Sequence, residues 1–159
     1  MTSEANEQSG RQRRMIVEID HWNWGLHVGV SSPFVPIEHR FHQGLMYARG
    51  IEIEGRVRAP RTLEDQPIDV WITPLGPEMG GPEVEEVGQF RESGSSPGRP
   101  PLQVNLRLPE DALAATLTCL GSTWRYVLLW ITENPGDRAS VTAFSFAARL
   151  PSSLGDWAE

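Results

Sequence analysis

Apolar and polar residues alternate one for one along several short stretches of this chain, and glycine and proline cut those stretches apart. In residues 51–58, Ile51, Ile53 and Val57 share one face with Gly55, while Glu52, Glu54, Arg56 and Arg58 share the other. A repeat of two is the side-chain period of a β-strand, and it places this segment in a sheet with one face buried. The exposed face carries both charge signs, which cross-strand neighbours can pair. Residues 102–108 repeat the pattern, with Leu102, Val104, Leu106 and Leu108 on one side and Gln103, Asn105 and Arg107 on the other. In residues 68–73, Ile68, Val70 and Ile72 are in phase. The 15 glycines and 13 prolines in 159 residues keep all such runs short, which suits many brief strands joined by turns.

The remaining segments fit the same scheme. Met15–Asp20 reads as a first strand and Leu26–Val30 as a second, with a hairpin turn at Asn23-Trp24-Gly25. Pro33 and Pro36 then interrupt the pattern, and residues 37–43 read as irregular. Residues 124–131 are apolar on both faces, as in a strand that is central in its sheet. A turn at Asn134-Pro135-Gly136-Asp137 leads to a partner strand over residues 141–150, with Phe144 and Phe146 on one face. One helix is expected near 109–120. Pro109, Glu110 and Asp111 suit its first turn, Leu113, Leu117 and Leu120 form one stripe, and Gly121 supplies a stop.

The sum is seven or eight strands and a single short helix. That predicts an all-β chain, an antiparallel β-sandwich of immunoglobulin-like or jelly-roll type. One domain is expected over 15–150, between a disordered polar tail at 1–14 and a polar C-terminal tail at 151–159. Residues 76–101 hold six glycines and five prolines in 26 positions. They read as a long acidic loop with at most a short edge strand around Val84–Phe90.

Composition excludes several classes of chemistry. All 14 basic residues are arginine, so Schiff-base catalysis and phosphate-loop or kinase chemistry lack their lysine. A net charge of −7 opposes general binding to nucleic acid. The longest apolar run, Tyr126–Ile131, is far short of a membrane-spanning helix. Cys119 is the single cysteine, which rules out an intramolecular disulfide and a thiolate zinc cluster; its apolar neighbours suggest a small buried residue rather than a nucleophile. The lone cysteine and the absence of an apolar signal segment point to the cytoplasm.

Two clusters carry candidate chemistry. His21, His27, His39 and His42 fall within 22 residues, beside Asp20 and Glu38, and neutral imidazoles with a carboxylate are zinc ligands. His39 and His42 converge on a helix or turn and diverge on a strand, and no HxH or HExxH spacing is present. The second cluster is Trp22 and Trp24, two apart and therefore on one strand face, where they fill the core, stack on a sugar or anchor an interface. Trp71, Trp124 and Trp130 are assigned to the core. Ser96 matches the letters GxSxG within Gly94–Gly98, but a polar Gly/Ser/Pro run replaces the strand and helix that a nucleophile elbow requires. Glu83, Glu85 and Glu86 read as a solvated loop rather than a calcium site.

The expected function is a non-enzymatic protein-interaction or structural module without a cofactor, binding another protein or its own copy. Its expected contact residues are Trp22, Trp24, His21, His39 and His42. The alternatives are a zinc-dependent enzyme or ligand binder built on His21, His27, His39 and His42, and a carbohydrate-binding module using Trp22 and Trp24.

Overall fold

The alternating segments turn their apolar faces to one common interior. A computed structural model describes residues 10–30, 45–74, 85–92, 100–134 and 139–152, with the backbone alone for 27–30 and 45–48. The strands are β1 (Arg11–Val30), β2 (Leu45–Ala59), β3 (Pro67–Pro74), β4 (Gly88–Glu92), β5 (Leu102–Leu108), β6 (Tyr126–Glu133) and β7 (Ala139–Ala147). The helix α1 (Ala112–Ser122) lies between β5 and β6, and a short 3-10 turn, Arg61–Leu63, lies between β2 and β3.

The chain is therefore mainly β with one helix, but the sheet is a closed barrel rather than a sandwich. Its strand order is β1-β2-β3-β5-β4-β7-β6, and β6 pairs back onto β1. Alternation reports that one face is buried. It does not report whether that face meets a second sheet or the far wall of its own. Nor is the barrel wholly antiparallel: from β3 the chain crosses to β4 and returns through β5, so β5 runs parallel to β3.

Three other expectations change. Residues 15–30 form no hairpin: β1 is one strand of 20 residues, starting at Arg11, whose antiparallel partner is β2. Arg11–Arg14, placed in the tail by their polarity, thus belong to the barrel and pair with β6. Arg13 explains how a charge is accommodated there. It faces the same way as Met15, lies 5.0 Å from the Phe90 ring centroid, and reaches Glu92 at 3.3 Å and Glu133 at 3.5 Å. The third change is β4. It lies inside the Gly/Pro-rich segment and is no edge, because β5 flanks it on one side and β7 on the other.

Side chains fill the interior, as a barrel of this size requires. Ile53, Val70, Val104 and Phe90 form one row across four strands, and Ile51, Ile72, Leu106 and Val141 contribute to the next. The helix closes the end where β5 finishes and β6 begins. Leu113 and Leu120 are buried there and Leu117 packs against them. The buried Thr116 hydroxyl donates to the Ala112 carbonyl at 2.9 Å, so its polar atom is satisfied. Trp124 lies flat on Phe146, with ring centroids 4.5 Å apart. The doubly apolar character of β6 also has a cause. Val127, Leu129 and Ile131 join the core, while Leu128 packs outside the barrel with Ile16 and Ala59, flanked by Tyr126 and Trp130.

Candidate functional site

The length of β1 creates the most distinctive surface. β1 pairs with β6 from Arg11 to Glu18, and one further bond runs from the Ile19 N–H to the Arg125 carbonyl, 2.8 Å. β2 pairs with β3 only from Ile51 to Arg56. Among the described residues, β1 beyond Ile19 therefore has β2 on one side and no strand on the other. From Gly25 and Gly50 outward the two strands form an arm that continues past the barrel wall.

A bulge sets what the arm presents. Register shifts fall at Ile16/Val17 and at Ile19/His21, and an extra residue in a strand switches which parity faces inward. Before the second shift Met15, Val17 and Ile19 face the core. After it the inward residues are Trp22 opposite Ile53 and Trp24 opposite Ile51. Trp22 still packs on the core, close to α1. Trp24 lies where the barrel runs out and is 42% exposed; Leu26, next on the same face, is 53% exposed. Opposite Leu26, Arg49 forms an ion pair with Glu110, just ahead of α1, and this ties the base of the arm to the barrel end.

Trp22 and Trp24 thus share a face, as their spacing implies, and the boundary between core and solvent falls between them. His21 is exposed on the opposite face, level with Glu54 and Asp69 on the next two strands. His39, His42, the side chain of His27 and the Gly94–Gly98 segment lie outside the described residues. Among the described residues no three His, Cys, Asp or Glu side chains gather to hold a metal ion, and none of the helices is long and apolar enough to cross a membrane. Cys119 is half-buried on α1.

Trp71 corrects an expectation. It stands 44% exposed on the outer wall and not in the core. Its strand phase carries the signal: Ile68, Val70 and Ile72 face inward, so Trp71 and Asp69 must face out. Trp71 stands between Glu52 on β2 and Asn105 on β5. Beside it, partial burial and the charges of Glu54 and Glu52 raise the Asp69 pKa above the ordinary carboxylate value. A raised folded-state pKa means that the folded protein binds the proton more tightly than the unfolded chain. The ionised carboxylate therefore costs stability at neutral pH, and that cost disappears as pH falls through the carboxylate range. Asp69→Asn is expected to raise the melting temperature at pH 7 and to lose its advantage in acid. Paired thermal melts at the two pH values check this.

An open depression of about 230 Å³ lies on the outside of β1, β6 and β7, lined by Arg14, Trp130, Thr132 and Thr142 among others. It is smaller than usual small-molecule sites, which run to roughly 300–1,000 Å³. No protein family, curated protein or solved structure matches this chain.

Proposed function

We propose that this chain is a non-enzymatic protein-interaction module whose contact surface is the arm formed by β1 and β2. The observation that carries the reading is the continuation of the core-facing side of β1 past the end of the barrel. There Trp24 and Leu26 stand exposed beside a strand edge that no described strand occupies. Two separate kinds of surface coincide at this place. An exposed aromatic residue beside an aliphatic one is a typical interface anchor, and an unpaired row of backbone N–H and C=O groups is a template for an added strand. The Arg49–Glu110 ion pair lies at the base of this surface, opposite Leu26.

A photo-cross-linking residue placed at position 24 of the full chain in cells tests this. The expected result is a discrete protein adduct from position 24 and none from the same residue placed at the exposed Arg61. No adduct from position 24, or equal labelling from both positions, would contradict the reading.

A further inference from the structure

Resting on that reading, we propose that the partner is a second copy of this chain, added edge to edge along β1 about a two-fold axis at Trp24. Natural proteins block open strand edges with charges, prolines or bulges. Residues 21–30, His-Trp-Asn-Trp-Gly-Leu-His-Val-Gly-Val, contain no Asp, Glu, Lys, Arg or Pro, and the bulge lies before them, at Ile19/His21. Among the described residues nothing pairs with this side of β1 beyond Ile19, so ten residues of edge without these blocks stand ready for an added strand.

The whole chain carries −7, so two copies repel wherever their acidic surfaces meet. The neutral stretch of β1 lets backbones of two such molecules approach to pairing distance without placing like charges face to face.

An antiparallel pairing centred on Trp24 sets Trp24 against its own copy, Trp22 against Leu26, and Asn23 against Gly25. The three apolar residues of one copy then lie along the three of the other on a single continuous face, and the bulge stays clear of the contact. A two-fold axis requires self-complementarity of this kind, and the small Gly25 leaves room opposite Asn23, with nothing within 4 Å of where its Cβ would stand.

Sedimentation of the purified full chain over micromolar to submillimolar concentrations is the test, with Trp24→Glu and Trp24→Arg beside the wild type. The wild type is expected to form a dimer. Each variant alone sets like charges together and removes the indole pair, which should weaken association by about tenfold or more. Mixing the two variants should restore dimers, because Glu then faces Arg. Leu26→Glu serves as a second disruption should either variant melt early. A wild type that stays monomeric while position 24 still cross-links another protein ends the self-pairing and leaves the module reading intact. A monomer with no adduct ends both. Dimerisation unchanged in Trp24→Glu and Leu26→Glu places the contact elsewhere and ends the proposal.

Discussion

Replacing Ile53 with alanine is expected to cost about 2–5 kcal/mol of folding stability, the range for large-to-small changes at closed core sites. Ile53 is fully buried. It faces Trp22 on β1 and Val70 on β3, in a row that continues through Val104 to Phe90. In a closed barrel the walls are joined by backbone hydrogen bonds on every side, so they cannot collapse onto the space left by three lost carbons. The cost should therefore fall in the upper part of that range. Net stability of such a domain is only about 5–15 kcal/mol, so the midpoint of denaturant unfolding should drop sharply with its slope unchanged. Arg61→Ala, exposed on the 3-10 turn and away from the core, is the contrast: it is expected to stay within about 0.5 kcal/mol.

Gly88→Ala is the second large effect, and its cause is proximity of backbones. A Cβ at Gly88 would run into the carbonyl oxygen of Asn105, and it would lie 2.9 Å from Leu106 Cδ2 and 3.1 Å from Leu106 Cα. Two of these three atoms are main chain of β5, which cannot rotate away. β4 cannot retreat either, because β7 holds its other edge. The expected loss is about 1–3 kcal/mol or more, as for overpacked cores. At Gly121, by contrast, a Cβ finds Trp22 at 3.8 Å, an ordinary contact. Gly121→Ala near the end of α1 should be neutral or stabilising by up to about 1 kcal/mol. Opposite signs for the same chemical change, read by thermal melts, separate close strand approach from intrinsic propensity.

Gly88 carries little signal of its own in the sequence. In sequence it is one glycine among six in a Gly/Pro-rich stretch, and its neighbours Glu86, Gln89 and Arg91 give the polarity of a loop. Five residues of strand between two partners leave too short an alternation to stand out. By contrast, Ile51–Arg58 and Leu102–Leu108 were legible residue by residue, since four alternations fix both strand and face. The helix was legible from its leucine spacing, although it runs from Ala112 to Ser122, past the glycine expected to stop it.

Closure of the sheet was not legible, because it depends on which edges meet and not on which faces are buried. β1 was divided in two for a related reason. Asn23-Trp24-Gly25 has turn chemistry, but a strand paired along its length with β2 from Ile16 to Val30 overrides that local preference. The candidate site was legible in part. The spacing of Trp22 and Trp24 places them on one face, while the bulge that turns this face inward, the barrel end that leaves Trp24 exposed and the phase that exposes Trp71 emerge only once strands and their ends are placed.

Self-association requires that β1 offer an edge that a second copy takes up. Amide hydrogen exchange, followed by peptide as protein concentration is raised, reads that edge directly. The predicted result is protection that grows with concentration in the peptide covering residues 20–26 and stays constant in the peptides covering β3 and β5. Protection across 20–26 that is the same at every concentration would contradict it.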